Sequence, residues 1–491
     1  MSNPVRRGYL PFKWGALRSI GVAPRELKTR PLAKVVLLFA RGIYFFKSEE
    51  EKMSVMLSAP RGTQDVLPSQ SEKWQFVEET ARKTAALFGF KEIRFPTFEH
   101  TELFCRGVGD TTDVVQKEMY TFEDKGNRSI TLRPEGTASV VRVALSNGLL
   151  NDSLPLKVYY LTSCFRYEKP QAGRLREFHQ YGVECFGSKE PIADAQLIAS
   201  ADAFFKALGI KNLHLEINSI GCPECRKNYH NALKEYFEAQ KDALCETCKG
   251  RLEKNPMRIL DCKSPVCSEI AKGAPKVTDY LCDECDEHFK GVQGYLEAMN
   301  IKFKVNPTIV RGLDYYTKTV FEFVSDEIGA QGTVCGGGRY DGLVETLGGP
   351  KTCALGYAMG IERLLLLLEA QGVAFPESDK CEMYIAPMGD KAKCKAVELV
   401  SLLRDEGFRA DCDIMGRGVK AQMKYANKIG AQYVIVIGDN EIETGFANLK
   451  DMQSGEETKI SLGDSFIKEF YDKKLSAACG DVLASFENLT K

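Results

Sequence analysis

The stretch FRYEKPQAGRLREFHQYGVE, Phe165 to Glu184, gathers Arg166, Glu168, Arg174 and Arg176 behind an apolar run, VYYLTSCF. Arg166 lies between Phe165 and Tyr167 on a predicted strand. Its five-donor fork therefore points to one face, where it suits phosphate oxygens. Glu168, two residues on, shares that face. Pro170 and Gly173 are turn residues, and the apolar alternation resumes after Arg176, which predicts a basic hairpin loop. Nucleotide binding is the chemistry such a loop performs; an exposed hairpin with solvated arginines carries the same letters.

Other segments offer matching chemistry. QYGVECFG puts Gln180, Gly182 and Glu184 on one side of a strand that reads as buried. An unpaired Glu184 is costly there, so it needs a partner, either a protonatable imidazole or an internal Arg or Lys. ITLRPEGTASVVRVA is a strand turning at Pro134 and Gly136 into a helix, with Glu135 and Thr137 at the turn. Those residues suit a ligand, and they equally suit a helix start, Thr137 capping and Glu135 favouring the dipole. In NPTIVRGLDYYTKTVFEFV, Arg311, Asp314, Tyr315 and Tyr316 cluster at a glycine turn. A carboxylate attacking a phosphate needs cationic cover, which a fixed guanidinium supplies; a structural arginine at a turn is the other reading of Arg311. GTVCGGGRYDGLVETLGG is neither GxGxxG nor a P-loop. Its glycines allow close backbone approach to a ligand, or a tight hairpin, with Arg339 and Tyr340 beyond. CALGYAMGIERLLLLLEA runs from a strand into an apolar helix, where Arg363 in the first turn opposes the macrodipole and asks for an anion such as phosphate.

The elements that position these residues fall into blocks. Over 1–55 the chain is a basic, acid-poor extension, which reads as disordered, as an organelle transit peptide, or as upstream sequence before a start at Met53 or Met56. Its run VVLLFARGIYFF is broken by Arg41 and falls short of the roughly 20 residues a membrane span needs. From Ser69, with Glu72 as a possible capping box, Trp74, Val77, Ala81, Ala85 and Phe88 recur at helical spacing up to Gly89, and the strand FKEIRFP follows. Residues 56–221 and 301–375 read as one catalytic domain interrupted by a charged, cysteine-rich insertion over 222–300. Past FPESDK the period changes to βαβαβ, a separate parallel-sheet domain over 378–475, and a tail covers 476–491. On its second helix Lys420, Lys424 and Lys428 stand at i, i+4 and i+8, a solvated face or a stripe for a polyanion.

The insertion carries four cysteine pairs: Cys222 and Cys225, Cys245 and Cys248, Cys262 and Cys267, Cys282 and Cys285. Two-residue gaps let both sulfurs reach one ion, and four thiolates close a tetrahedral zinc site. One or two structural zinc ions, or free thiols packed in a small helical domain, both fit. Seventeen cysteines without a recognisable secretory signal argue for a reducing compartment, read as the cytoplasm. Net charge over 491 residues is -1, so any RNA surface is a local patch.

The arginine hairpin resembles the second signature motif of class II aminoacyl-tRNA synthetases. Helix, strand and Pro96 resemble the first motif, and GIERLLLLLEA the third. FRYEKPQAGRLREFHQYGVE, RGLDYY and GGGRY resemble the histidyl-tRNA synthetase family in particular, over a span from about Ala59 to about Leu475. The resemblance implies an α+β core, an antiparallel sheet flanked by helices, with an insertion domain that leans on the tRNA acceptor arm and a C-terminal α/β anticodon-binding domain of class IIa type. It implies ATP-dependent ligation of L-histidine to tRNA(His) through histidyl-adenylate, with magnesium bridging the phosphates, in a homodimer built on the first motif. On it, Arg166 and Arg311 stabilise the α-phosphate, Arg174 and Arg363 the outer phosphates, and Glu168 the adenine side. Glu135 and Thr137 hold the amino group, Gln180 the amino-acid backbone, and Glu184, Tyr316 and Tyr340 the histidine ring and its pocket. Gln171 and Arg176 meet the first acceptor-stem pair, and the lysine stripe faces the anticodon side. A non-catalytic regulatory subunit of histidine biosynthesis shares this core, but it lacks the anticodon domain and degenerates at the catalytic positions.

Overall fold

Side chains alternate between the two faces of a strand, and the large central sheet, covered on both faces, supplies the floor of the candidate site. The computed structural model describes residues 58–109, 112–260, 262, 264–309, 313–328, 332–376 and 380–476, together with the backbone of two short strands, β1 (Leu37–Phe39) and β2 (Gly42–Tyr44), paired antiparallel. The remainder of the basic extension, Arg311 and the tail from 477 lie outside the described residues. From Arg61 on, the chain clusters as one unit.

The next eleven strands are β3 (Lys91–Glu92), β4 (Phe98–His100), β5 (Tyr120–Glu123), β6 (Ser129–Leu132), β7 (Leu156–Phe165), β8 (Glu177–Phe186), β9 (His214–Ser219), β10 (Lys304–Val305), β11 (Thr317–Val324), β12 (Thr333–Arg339) and β13 (Ala354–Gly360). Eight of them form one sheet in the order β10-β9-β11-β12-β13-β8-β7-β3, antiparallel except for the parallel pairs at its two edges. β4, β6 and β5 make a small separate sheet. β7 and β8 are the longest strands, in register from Leu156 opposite Phe186 to Phe165 opposite Glu177, so residues 166–176 form the hairpin loop.

One face of the sheet is apolar. Tyr181, Val183, Tyr357, Met359, Phe321 and Phe323 meet helices Pro68–Leu87, Pro191–Ala207, Asp283–Ala298 and Ile361–Ala370 in the main core. The first of these helices starts at Pro68, with Leu67 in the cap position, so Ser69 lies inside it rather than capping it. Proline suits the first helical position, where no N–H is required. The opposite face carries Gln180, Gly182 and Glu184 of β8, Gly356 and Ala358 of β13, and Gly336 and Gly338 of β12, aligned across the ladder. The described elements of the insertion are helices, and a second core joins Tyr229, Leu233, Phe237 and Leu252 of the insertion to Tyr160, Tyr316 and Tyr340 on this opposite face.

The C-terminal domain has the order β15-β14-β16-β17-β18, with β14 (Met383–Pro387), β15 (Ala410–Cys412), β16 (Tyr433–Ile437), β17 (Phe446–Asp451) and β18 (Glu457–Ser461). β14, β15 and β16 are parallel as the sequence period predicts, but β17 and β18 add antiparallel, so the sheet is mixed. Between β16 and β17 there is room for only the short helix Asp439–Thr444, and a parallel crossover needs a dozen residues or more. The molecule thus has a class II synthetase catalytic core, antiparallel-rich and flanked by helices, and an α/β domain after it. Among the described residues no helix is long and apolar enough to cross a membrane.

Candidate active site

The polar face of the sheet begins with a glycine floor. A Cβ on Gly356 would lie 1.7 Å from Glu184 Oε2, and one on Gly182 would lie 2.1 Å from the ring of Tyr160, so side chains at these two positions would evict the groups above them. Glu184, 1% exposed, receives hydrogen bonds from the Thr137 hydroxyl at 2.8 Å and from the Tyr340 hydroxyl. Burial pushes its carboxyl up to about 8, against the pull of those two donors. Among the described residues, the internal cation that the sequence left open as its partner is not there; the partners are hydroxyls. Glu135 is buried beside it and caps the helix Thr137–Ser146, its two oxygens accepting from Thr137 N and Ala138 N at 2.8 Å each. Thr137 spends its hydroxyl on Glu184 instead of on the cap.

Next to this cluster lies a cavity of about 860 Å³, within the range of roughly 300–1,000 Å³ for small-molecule sites. Arg166, Glu168, Arg174, Gln180 and Arg363 all line it, although Arg363 is about two hundred positions from Arg166 in the chain. Arg166 donates to Pro134 O at 2.8 Å and lies over the Phe178 ring; Glu168 accepts from Arg174 Nε at 2.8 Å. Arg363 donates to Thr333 O at 2.6 Å. Burial lowers the pKa of Arg363 and nearby Arg174 lowers it further, while Glu168 opposes both. Glu168 is shared among guanidiniums on one side of a cavity whose lining carries both arginines and carboxylates, and that arginine side suits an oligophosphate. Glu118 and Glu322 face the same space, and burial followed by the charge of Glu168 raises the pKa of Glu118. Glu362, beside Arg363, also lines the cavity and accepts from His179 N and Nδ1 at 2.9 Å.

A family model described as histidyl-tRNA synthetase matches residues 62–364, and one described as an anticodon binding domain matches 382–470. Relatives called histidine–tRNA ligase include one from Clostridium novyi, 57% identical over 83% of this chain and 97% of that protein. Another, from Acetivibrio thermocellus, is 56% identical over 83% of this chain and 98% of its own. The solved structure of apo histidyl-tRNA synthetase from S. aureus superposes with a TM-score of 0.73 at 41% identity, covering 84% of this chain and all of that one. The chain belongs to the histidyl-tRNA synthetase family.

In this member, the remaining predicted residues fall in different places. Gln171 is exposed at the tip of the hairpin, where a tight turn closed by Gln171 and Arg174 places Gly173 at φ +67°. Arg176 is not free at that tip: its guanidinium lies 3.9 Å from the centre of the Tyr167 ring, and its Nε donates to Glu168 O at 3.3 Å. Tyr316 is buried against Gly338 and lines a neighbouring cavity with Arg226 and His230, whereas Tyr315 is the ring that packs edge-on against Tyr340, at 5.5 Å. The sequence reading set Tyr316 beside Tyr340 in the ring pocket; in the turn before β11 it is Tyr315 whose ring meets Tyr340. Arg339, next to Tyr340, enters the opposite side and pairs with Asp194 at 2.5 and 3.2 Å. Lys420, Lys424 and Lys428 are exposed on the helix Val419–Lys428.

Sequence reasoning missed Arg251 and Arg258. Both come from the insertion and line the 860 Å³ cavity, and neither KGRLEK around Arg251 nor NPMRILDC around Arg258 carries a local signal for it. Arg258 Nη2 donates to Asp314 of RGLDYY at 3.0 Å. The eight insertion cysteines gather into two groups, Cys222, Cys225, Cys282 and Cys285, and Cys245, Cys248, Cys262 and Cys267, each with all its sulfurs within 4.8 Å of one another.

Proposed function

We propose that the chain ligates L-histidine to tRNA(His) in two steps. The histidine carboxylate attacks the α-phosphate of ATP, giving histidyl-adenylate and pyrophosphate; a 3′-terminal hydroxyl of the tRNA then takes the acyl group and AMP leaves. Arg166 and Arg311 cover the α-phosphate, so that two like charges can approach, while Arg174 and Arg363 hold the outer phosphates and Glu168 the adenine side. Glu135 and Thr137 hold the ammonium, Gln180 the backbone of the amino acid. Glu184, with Tyr340 and the adjoining rings of Tyr315 and Tyr316, accepts the imidazole. A pocket that hydrogen-bonds a polar ring rejects apolar isosteres by orders of magnitude, so no editing site is required.

Magnesium fits the carboxylate side of the cavity, at Glu118, Glu168 and Glu322; when bound it neutralises phosphate charge. Structural zinc at the eight insertion cysteines belongs to the same reading. Gln171 and Arg176 meet the acceptor stem, and the exposed lysines at 420, 424 and 428 the anticodon side. The enzyme works as a homodimer joined through Pro68–Leu87 and the strand after it, in the cytoplasm.

The observation that supports this reading is the shared cavity of Arg166, Arg174 and Arg363 beside a buried carboxyl that, among the described residues, is held by hydroxyls. Histidine-dependent exchange of pyrophosphate into ATP tests it on the full chain. Arg311→Ala is expected to abolish exchange while the protein stays folded. Exchange that ignores histidine, or its absence in the wild type, overturns the proposal.

A further inference from the structure

Three of the four cysteine pairs share one local design. Cys222, Cys245 and Cys282 occupy the cap positions of the helices Pro223–Glu238, Glu246–Lys254 and Asp283–Ala298, and their partners Cys225, Cys248 and Cys285 follow in the first turn. In the fourth, Cys267 lies in the first turn of Pro265–Lys272 and Cys262 precedes the cap residue Ser264. The helix starts aim the sulfurs inward, and the pairing is nested: the first pair meets the last, and the second meets the third. No described cysteine is in a disulfide. Sulfur separations of 3.5 Å between Cys222 and Cys225 and 3.9 Å between Cys245 and Cys262 match the edge of a thiolate tetrahedron around zinc, about 3.8 Å for Zn–S bonds of about 2.3 Å. Backbone N–H groups already point at two of the sulfurs, Cys282 N at Cys225 and Cys245 N at Cys267. Packing of apolar thiols gives no reason for four to converge twice, with two or more of each four reaching partly or fully to solvent.

The inner group has a second property. It closes the segment that contains the short helix Pro256–Ile259, from which Arg258 reaches Asp314 at 3.0 Å; Asn255 approaches the same carboxylate at 3.5 Å. Arg251 donates to Arg258 O at 3.1 Å. Asp314 adjoins Tyr315, whose ring packs on Tyr340, which in turn bonds Glu184. Cys245, Cys262, Arg251 and Arg258 themselves form part of the wall of the 860 Å³ cavity. We propose that the insertion binds two zinc ions in nested tetrathiolate sites, and that the inner ion, at Cys245, Cys248, Cys262 and Cys267, positions Arg258 on Asp314 and thereby fixes Tyr315 over the amino-acid pocket. The outer ion, at Cys222, Cys225, Cys282 and Cys285, closes the root of the insertion. Arg258 is a positioning residue, acting through Asp314. The inference rests on the histidine-activating reading of the site.

Zinc counted by mass spectrometry on the full chain, purified under reducing conditions without chelator, is expected at two ions per chain, one for each group. Cys262→Ser with Cys267→Ser is expected to lose one ion and to raise KM for histidine in pyrophosphate exchange about tenfold, more than it raises KM for ATP. Cys282→Ser with Cys285→Ser loses the other ion and leaves KM for histidine within about twofold. Should the cysteine variants fail to fold, Arg258→Met keeps the side-chain stem and both ions, and is expected to show the same about tenfold rise, which Arg258→Lys largely reverses. Fewer than about half an ion per chain in the wild type, or a wild-type KM for histidine in Arg258→Met, overturns the inference. If the wild type shows no histidine-dependent exchange, the proposed function fails, and the zinc counts of wild type and variants still decide whether the nested sites exist.

Discussion

Arg339 and Tyr340 are neighbours in the chain that serve two buried carboxylates in opposite ways. Arg339, fully buried, holds Asp194 bidentately, with further bonds to Ser188 O and Asp341. Burial alone would raise the pKa of Asp194, but the guanidinium outweighs it and holds the carboxyl below its ordinary range. Tyr340 gives Glu184 a neutral hydroxyl, Thr137 gives another, and burial then wins, pushing Glu184 to about 8. A buried carboxylate matched with a full opposite charge is finished and structural. One matched only with hydroxyls keeps an unmet preference for positive charge, which a ligand can satisfy.

Removing a charge from the finished pair should do the most damage. Asp194→Ala takes the bidentate partner from buried Arg339 and leaves it only Asp341 as a counter-charge, and is expected to lose about 3–5 kcal/mol in urea unfolding, with activity falling alongside. Gly356→Ala attacks the unfinished site through its floor. The new methyl claims the place of Glu184 Oε2, with an expected loss of about 1–3 kcal/mol and a rise in KM for histidine. Wild-type stability after this change would mean that Glu184 is not held as tightly as its surroundings indicate.

Glu184→Gln should move stability the other way. The folded-state value of about 8 lies above the ordinary 4.5, so the folded protein holds its proton more tightly than the unfolded chain, and stability falls as pH rises from 4.5 through 8. The variant lacks that loss. Its melting temperature is expected to exceed that of the wild type by about 2–4 °C at pH 8.5 and by little at pH 5, while KM for histidine rises at least about tenfold. A half-buried pair supplies the small end of the series. Burial works against a charge on His179, but its bond to Glu362 prevails and raises its pKa. That contribution is complete below the unfolded value and disappears as pH rises through the folded one. His179→Gln is therefore expected to cost under about 1 kcal/mol at pH 5.5 and less at pH 9, read by denaturant midpoints at the two pH values.

Where a function depends on local order, it was legible in the letters. The arginine hairpin between β7 and β8, the strand-to-helix turn at Pro134 and Gly136, and the placement of Gln180, Gly182 and Glu184 on one face all follow from alternation and turn residues. The eight cysteines were legible as four pairs, but the nesting of those pairs was not, because spacing along the chain does not say which pairs meet. The mixed C-terminal sheet escaped the period because a strand has the same alternation whichever way it runs.

By itself the sequence determined which residue types stand on which faces, since side-chain direction within a strand or helix is set by backbone geometry over a few residues. Only the tertiary structure decided which of those faces meet: Arg363 with Arg166 across one cavity, Arg258 of the insertion with Asp314, Tyr315 and not Tyr316 on Tyr340. Contacts between distant segments depend on how whole elements pack, and packing is fixed by the sum of many weak apolar contacts that no short motif records.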